Sequence, residues 1–346
     1  MFNYDVIVIG AGPAGSTFAR VAPKNLKIAV IDKSDLSYER PKPCGGLLAP
    51  DAQRELAKDG LTLPKEILVS PQIFAVKTID LKTDQTRHYV RSYLNMDRQR
   101  FDSWLRSLIP PSVTKINARC TSVEHFGDGF KVTYKQESEV KEATCKYLLG
   151  ADGANSIVRS AFFKKPIRKY IAIQRWYKGD KITPFYSCVF DENTSKCCSW
   201  SISKDNYIIY GGAFAKMNSK EAFETQLETA KAKGFVLQDE ILNEACTVCW
   251  PKTALEIVSG GRGVMLLGEA GGFISPSSLE GISWAMRCGH LAAEAFSCKD
   301  PIKAYCKKAK SLKFKLGLKT IKSWFMYNPV LRWLVLKTGI KSVKVN

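Results

Sequence analysis

The chain has 346 residues, of which 45% are hydrophobic and 25% charged, so it can form one large or two ordinary globular domains. These proportions exclude disorder, a coiled coil and a collagen-like fibre as descriptions of the whole chain. The formal net charge is +19, and residues 301–346 carry eleven Lys and one Arg with no acidic residue. Only +7 remains on residues 1–300, so the excess charge predicts a C-terminal segment suited to an anionic surface.

Cysteine and histidine usage bears on compartment and metal chemistry. Eleven cysteines with scattered spacing indicate a reducing compartment rather than a disulfide scaffold. Cys246 and Cys249 form a C-x-x-C pair, but no second pair follows and there are only three histidines, so no metal is expected. The first apolar run lacks a basic leader and no run reaches about 20 apolar residues, so neither a signal peptide nor a membrane-spanning helix is expected. Together these features predict a cytoplasmic protein.

The predicted elements, in chain order, begin with a buried strand over residues 5–9, a glycine loop, a helix and a second buried strand over residues 28–31. Residues 33–50 are rich in Pro and Gly and are predicted as loop. Further helices are predicted over residues 51–58, 97–108, 219–232 and 281–296. Further strands are predicted over residues 73–90, 114–149, 170–213 and 264–267, with a hairpin turn at residues 126–129. This order predicts an α/β fold in which a discontinuous nucleotide-binding domain is interrupted by an inserted sheet.

The strongest local signal is Gly10-x-Gly12-x-x-Gly15, which directly follows a strand and opens a helix. The first glycine permits the tight turn, the second lets the backbone approach a pyrophosphate, and the third lets helix and strand pack closely. Asp32 ends the second strand, where an acid is expected to bind a ribose hydroxyl. The pattern predicts dinucleotide binding.

Three further motifs indicate which dinucleotide binds. Residues 150–159, GADGANSIVR, resemble the DG motif of the aromatic-hydroxylase superfamily of flavoproteins. Residues 268–272, GEAGG, resemble that superfamily's GD motif, whose acid binds the ribityl chain of FAD, with Glu269 in place of Asp. The segment from Asp97 to Leu105 resembles the superfamily's helix start beside the cofactor, which contains Arg98; a surface cation at a helix start is the alternative.

Within this superfamily the chain resembles the geranylgeranyl reductase family over roughly residues 3–300. The resemblance lies in KPCGG at residues 42–46 and in the loop and helix start at residues 273–282. It implies a Rossmann-like FAD-binding domain, an inserted antiparallel β-sheet substrate domain and a C-terminal helical tail. The implied boundaries are residues 1–70, 97–165 and 250–300 for the FAD domain, 71–96 and 166–249 for the substrate domain, and 301–346 for the basic helical region.

The resemblance also assigns residues to the cofactor. The implied FAD-binding residues are Gly10, Gly12, Ala14, Gly15, Asp32, Lys33, Cys44, Gly45, Gly46, Arg98, Cys120, Glu269, Gly281 and Ile282. The backbone at Gly281 and Ile282 would face the flavin N1–C2=O edge, where a helix N-terminus stabilises negative charge. Cys44 would lie near the ring, either as a catalytic residue or as a small residue filling a tight loop.

The family's substrate-cavity pattern, Y-x-W-x-F-P followed by G-x-G, is only partly present. Trp200 and the spacing to Gly211 and Gly212 are retained, whereas Cys198, Ile202 and Ser203 replace the Tyr, Phe and Pro. The resemblance therefore assigns these three retained residues to a substrate cavity and leaves the substrate itself open.

Three functions compete. The first is an FAD-dependent reductase of carbon–carbon double bonds in a prenyl or other apolar substrate, with hydride from reduced flavin N5 and electrons from NAD(P)H, ferredoxin or another flavin system. The second is an FAD-dependent monooxygenase, because the DG motif is shared; the halogenase segment W-x-W-x-I-P is absent, which disfavours a halogenase. The third is a non-catalytic flavin protein such as a redox sensor. Oxygen consumption distinguishes the first two.

The C-terminal region has its own pattern. Phe314, Leu318, Ile321 and Phe325 share one helical stripe, and Lys308, Lys315, Lys319 and Lys322 share a neighbouring one. An interfacial helix on the inner face of an anionic membrane needs this combination, and a helix docked on its own domain with solvated lysines is the alternative. No nucleic-acid partner is expected, since no recognition module accompanies the charge.

Overall fold

The computed structural model describes residues 2–33, 42–179 and 183–345. Parts of the loop predicted over residues 33–50 and of the sheet predicted over residues 170–213 lie outside these ranges. The described strands are β1 (Tyr4–Ile9), β2 (Ile28–Asp32), β3 (Leu47–Leu48), β4 (Ile73–Asp80), β5 (Gln85–Asn95), β6 (Thr114–Asn117), β7 (Arg119–Phe126), β8 (Gly129–Gln136), β9 (Glu139–Gly150), β10 (Lys169–Lys178), β11 (Phe185–Phe190), β12 (Ser199–Lys204), β13 (Tyr207–Ala215), β14 (Gln238–Cys249), β15 (Gly260–Gly261) and β16 (Val264–Leu266). The described helices are α1 (Pro13–Val21), α2 (Pro50–Lys58), α3 (Arg98–Ser107), α4 (Ile157–Phe162), α5 (Ser219–Ala232), α6 (Ile282–Ala295), α7 (Pro301–Tyr327) and α8 (Pro329–Thr338).

The first sheet is the nucleotide-binding one. Its strand order is β15-β16-β9-β1-β2-β6, with β8 joined to β9 and β7 to β8. The pairs β16–β9, β9–β1, β1–β2 and β2–β6 are parallel. Val6 and Val8 face α1, α6 and α7, whereas Ile7 and Ile9 face the β7–β8 hairpin. Burial on both faces explains why the strand is a continuous apolar run rather than an alternating one.

The second sheet is the inserted one, with the order β14-β10-β13-β12-β11-β4-β5-β3. Its strands pair antiparallel except for β4 and β11, which are parallel. Helix α5 packs Phe223 and Leu227 against Tyr210 and Phe214 on one face of this sheet. The opposite face therefore remains for a binding site.

The α/β fold with an inserted, largely antiparallel sheet and a C-terminal helical region is confirmed. The helix predicted over residues 219–232 is α5 in full, and the hairpin turn at residues 126–129 joins β7 to β8. Strand β14 was not predicted, because most of this edge strand is solvent-exposed and polar. Strand β3 lies in the segment assigned to the FAD domain but pairs with β5 of the second sheet.

The C-terminal region folds back on both sheets. Helix α7 inserts Tyr305, Leu312 and Leu316 into the core of the first sheet, and the Tyr305 hydroxyl donates to the Leu266 carbonyl at 2.9 Å. Along the described parts of the chain, no helix combines the length and the hydropathy needed to cross a bilayer.

One buried ion pair attaches α8 to the second sheet. Arg332 Nε lies 2.7 Å from Asp80 Oδ2, and the two side chains are 7% and 1% exposed. The guanidinium also lies 4.8 Å from the centre of the Phe190 ring. Burial raises the pKa of Asp80, but the hydrogen bond and charge of Arg332, together with hydrogen bonds from the Thr83 and Lys82 amides, outweigh burial and hold the pKa below the ordinary 3.8.

Replacing Arg332 by Met should therefore destabilise the fold by about 3–5 kcal/mol, because it leaves the Asp80 carboxylate buried without its partner. Because the pKa of the Asp80 carboxyl is lower in the folded than in the unfolded protein, its interactions stabilise the fold at pH values above the unfolded-state pKa. This stabilisation is lost as the pH falls through the folded-state pKa. Urea unfolding should show the difference between wild type and Arg332→Met at pH 7 and a smaller one at acidic pH. The matched control is Lys337→Met, an exposed cation on the same helix, which should change stability little. Equal effects of the two substitutions would contradict this prediction.

Candidate functional site

A cavity of about 1330 Å³ lies between the carboxyl ends of the parallel strands and the open face of the second sheet. Its cofactor end is lined by the glycine loop, the end of β2 and the DG motif. Its substrate end is lined by β4, β5, β11 and β12 and by the C-terminal helices. Because single-ligand pockets usually measure about 300–1,000 Å³, this volume suits a cofactor together with a substrate.

The three loop glycines serve different purposes. Gly10 has φ +98°, and a Cβ there would lie 2.6 Å from the Ala151 carbonyl oxygen. A Cβ on Gly15 would lie 1.9 Å from the Gly10 oxygen, so this glycine is needed for packing and does not line the cavity. A Cβ on Gly12 would meet nothing within 4 Å, and Gly12 and Ala14 line the cavity at the start of α1. Gly12 therefore leaves open space where a helix N-terminus favours phosphate.

The end of β2 contributes Asp32 and Lys33 to the same wall, and β7 contributes Cys120. Asp32 Oδ2 accepts a hydrogen bond from the Ala11 amide at 2.7 Å, which holds the carboxylate beside the glycine loop. Burial raises the pKa of Cys120 to about 12, so this thiol is neutral and serves as packing on the cavity wall.

The DG motif lines the cavity from β9. Asp152 Oδ2 accepts from the amides of Ile157 and Val158 at 2.7 and 3.4 Å, while Oδ1 is buried without a hydrogen-bond partner in the described structure. Arg159 donates to the carbonyls of Ala270 and Glu256 at 3.2 and 2.8 Å. The motif thus presents one unsatisfied oxygen and fixes the 268–272 loop in place.

Glu269 is almost buried and binds two groups of the protein. Its Oε2 lies 2.6 Å from Lys42 Nζ, and its Oε1 accepts from the Cys249 amide at 2.8 Å. Desolvation lowers the pKa of Lys42, but the charge and hydrogen bond of Glu269, together with Cys246, outweigh desolvation and raise that pKa to about 12. A carboxylate has about four lone-pair positions, so Glu269 can also accept from a ligand hydroxyl. The sequence did not single out Lys42 as its partner.

The loop at residues 44–46 joins the two ends of the cavity. Cys44 Sγ lies 3.4 Å from both Arg98 Nη1 and the Gly46 amide. Burial lowers the pKa of Arg98, but Asp102 at 2.8 Å and Cys44 outweigh it and raise it above the ordinary value. Arg98 therefore lies at the cavity and organises this loop, rather than being a surface cation.

Close contacts with the second sheet hold the same loop. A Cβ on Gly45 would lie 2.7 Å from Ile202 Cδ1, and one on Gly46, which has φ +64°, would lie 2.3 Å from the Met96 oxygen. The buried Lys204 ammonium donates to Met96 O, Asn95 Oδ1 and Gly46 O at 2.7, 2.7 and 3.3 Å. Burial lowers the pKa of Lys204 to about 8.

Gly281 and Ile282 line the cavity at the N-terminus of α6. The Glu280 carboxylate accepts from the Ser283 amide and hydroxyl, both at 2.9 Å. Burial raises the pKa of Glu280. The arrangement brings helix amides and a carboxyl group to the junction between the two ends of the cavity.

At the substrate end, Trp200 lines the cavity and its Nε1 is buried without a hydrogen-bond partner in the described structure. A Cβ on Gly211 would lie 2.7 Å from that nitrogen, so this glycine makes room for the indole. A Cβ on Gly212 would instead meet Ser199 Oγ and Phe214, on the α5 face of the sheet. Contrary to the expectation from the sequence pattern, Gly212 therefore points away from the cavity, because successive residues of a strand face opposite sides.

Two parts of the substrate end escaped the sequence analysis. The end of α7 and helix α8 form one wall, with Phe325, Met326, Leu331 and Leu336 among its residues. On the facing strands, a hydrogen bond from the Cys188 thiol lowers the pKa of Cys198 to about 7. Strands were predicted over residues 170–213, and the alternation of residues 186, 188 and 190, which all line the cavity, could have identified their cavity side. No local signal in the sequence places α8 over the sheet.

The residues present fit FAD. The open space at Gly12, the unpartnered Asp152 oxygen and the adjoining α1 N-terminus suit the phosphates and polyol of a dinucleotide. Asp32 and Glu269 would hold ribose and ribityl hydroxyls, and the loop at residues 44–46 with the start of α6 would hold the ring system.

Replacing Gly12 by Ala should weaken FAD binding by about tenfold or more, because the added methyl occupies the space left for the pyrophosphate. The backbone there, at φ −69°, tolerates any residue, so the apoprotein should fold normally. Flavin absorbance after desalting, with circular dichroism as the fold check, measures both effects. Gly317→Ala on α7 is the matched control and should retain FAD. Full FAD occupancy in Gly12→Ala would contradict the assignment.

The comparisons with known proteins concern the fold and the family of this chain. Residues 4–161 match the profile of the pyridine nucleotide-disulphide oxidoreductase family. A geranylgeranyl bacteriochlorophyll reductase-like protein from Thermoplasma acidophilum is similar in structure, with TM-score 0.79 and 19% identity, over 95% of this chain and 87% of that one. The p-nitrophenol 4-monooxygenase PnpA from Pseudomonas putida is similar at TM-score 0.72 and 14% identity, over 97% and 92% of the two chains.

In sequence, the chain is 41% identical to Protein CbrA of Escherichia coli K12 over 350 aligned positions, which cover 99% of both proteins. The structural likenesses establish the fold. The chain therefore belongs to the CbrA family, and its residues 4–161 match the oxidoreductase profile.

Proposed function

We propose that the chain is an FAD-dependent reductase of carbon–carbon double bonds in a prenyl or other long apolar chain. The observation that carries this proposal is the composition of the substrate end of the cavity. Its walls are largely apolar and aromatic, and they come from the open face of the second sheet and from α7 and α8. The apolar and aromatic wall residues are Val76, Tyr93, Tyr186, Phe190, Trp200, Phe325, Met326, Leu331, Leu334, Val335 and Leu336. Such walls bind an apolar chain by excluding water from it.

Bound FAD would supply the redox equivalents for such a reduction. The protein's part is to hold the apolar chain beside the loop at residues 44–46 and to keep water out. Gly45 lies against Ile202 and near Trp200, so the loop and the substrate sheet meet there. The N-terminus of α6 would stabilise negative charge that develops at the same junction.

The structural likeness to the geranylgeranyl bacteriochlorophyll reductase-like protein supports a reductase of this substrate class. The likeness to p-nitrophenol 4-monooxygenase supports a second candidate, a flavin monooxygenase on the same scaffold. The breadth of the apolar wall favours the reductase, since a small phenol would fill little of it.

Cys44 is proposed as a residue that shapes the reaction site or supplies a proton. Its sulfur lies at the junction of the two cavity ends and is held by Arg98 Nη1 and the Gly46 amide, both at 3.4 Å. These contacts fix the sulfur relative to the loop, as a positioned acid requires.

The reductase is tested with the chemically reduced holoenzyme and a geranylgeranyl lipid, followed by mass spectrometry and an oxygen electrode. We expect products that gain two hydrogens per double bond under anaerobic conditions, without oxygen uptake coupled to product. The desalted Gly12→Ala variant serves as the control and should give product only in proportion to the flavin that it retains. Oxygen-dependent insertion of one oxygen atom would establish the monooxygenase instead. Absence of turnover with any reductant would favour a non-catalytic flavin protein.

Replacing Cys44 by Ser should lower turnover by roughly tenfold or more without displacing FAD, because positioned proton donors commonly contribute at least that much. Steady-state rates and flavin content measure the two effects separately. Cys246→Ser, a second cavity-lining cysteine, is the matched control and should leave the rate unchanged. An unchanged rate in Cys44→Ser would make Cys44 a packing residue only.

A further inference from the structure

The outer face of α7 and α8 exposes an unusual number of large apolar side chains. We define this outer face by Phe314, Leu318, Ile321, Trp324, Phe325, Val330, Leu334 and Val335, whose exposures range from 45% to 68%. Single exposed apolar residues are ordinary on a protein surface, but a contiguous group marks an interaction site.

Helical periodicity shows that the outer face is not needed to dock α7 on its own domain. Tyr305, Leu312 and Leu316 are buried against the first sheet. At 100° per residue they lie on the side of the helix opposite Phe314 and Ile321. Helix α7 is therefore apolar on two opposite faces, and only one of them packs against the protein.

The charge around the outer face is complementary to an anionic surface. Lys307 and Lys310 precede the apolar stripe on the same side of α7, and Lys315 flanks it; all three are exposed. No acidic residue occurs anywhere in residues 301–346. Lys308 is not part of this group of lysines, since its Nζ lies 2.8 Å from Glu294 Oε2.

The cavity opens at this face. Phe325, Leu334 and Val335 line the cavity and are each about half exposed, so they form its rim. Lys322 and Arg91 also line the cavity and are exposed, which places two cations at the same opening. An apolar rim with cations beside it matches the boundary between acyl chains and anionic headgroups.

We infer that the outer face of α7 and α8 docks on an anionic lipid bilayer, with the mouth of the cavity against the membrane. Apolar side chains penetrate the headgroup boundary while the lysines contact lipid phosphates, the two signals that stable peripheral binding needs. Binding of the bilayer is independent of the reductase activity, whereas direct transfer of a lipid chain through the mouth rests on the proposed function.

Flotation of the holoenzyme with phosphatidylcholine vesicles, with and without phosphatidylglycerol, tests the docking. We expect binding to the anionic vesicles at low salt that falls as salt rises. Substituting Lys307, Lys310 and Lys315 by Gln should weaken it about a hundredfold, since each lysine near an anionic surface contributes about fivefold. Lack of flotation with anionic vesicles at low salt, or full binding by the triple variant, would overturn the proposal.

Two control variants separate this surface from general charge and hydrophobicity. Glutamine at the exposed Lys178, Lys216 and Lys220 of the substrate domain removes the same charge and should leave binding within about twofold of wild type. The apolar side chains are tested by comparing the double variant Leu318→Ser/Ile321→Ser with Met217→Ser. The double variant should lose binding to the anionic vesicles, and Met217→Ser should keep it. Equal losses in test and control variants would overturn the assignment of the surface.

The orientation of the mouth is tested by fluorescence rather than by activity. Val335→Trp places an indole at the rim, and Met217→Trp places one on a surface away from it. Brominated acyl chains in anionic vesicles should quench the added fluorescence of Val335→Trp and leave that of Met217→Trp unchanged. Quenching of neither would show that the mouth does not face the bilayer, and this outcome can occur whether or not the enzyme is a reductase.

Discussion

Close backbone contact at the carboxyl end of the first sheet is the constraint on which the rest of the molecule depends. Gly10 touches the Ala151 carbonyl and Gly15 touches Gly10, at distances that no side chain could occupy. These contacts bring the start of α1 and the DG motif to one point, above which Gly12 leaves space. The cofactor end of the cavity is thus a consequence of Gly10 and Gly15, which cannot be exchanged without moving the backbone, and of the open space that Gly12 leaves.

A second set of contacts makes one cavity out of two sheets. The loop at residues 44–46 lies against Ile202, and the Lys204 ammonium ties Gly46 to the end of β5 through three oxygen acceptors. A buried ammonium is tolerated there because every one of these hydrogen bonds is made. As a result, Cys44 is fixed at the junction between the two ends of the cavity.

The C-terminal helices are part of the binding site rather than an appendage. The Arg332–Asp80 pair and the Tyr327 hydroxyl, which accepts a hydrogen bond from the Cys198 amide at 3.3 Å, hold the end of α7 and α8 over the second sheet. The inner side of these helices closes the cavity, and their outer side carries the exposed apolar residues. One structural element therefore connects the substrate class that we propose with the surface from which such a substrate would come.

Local spacing in the sequence was enough to predict the nucleotide-binding strands, the glycine loop and a dinucleotide cofactor, because these depend on glycines whose role is steric. FAD in particular was implied by the resemblance of residues 150–159 and 268–272 to flavoprotein motifs. The sequence also placed the second sheet and the apolar stripe from Phe314 to Phe325 on α7. Only the tertiary structure decided that Glu269 pairs with Lys42, that Gly212 faces α5, and that α8 forms a wall of the cavity. Each of these depends on contacts between residues far apart in the chain, and periodicity along one segment carries no information about which distant segment packs against it.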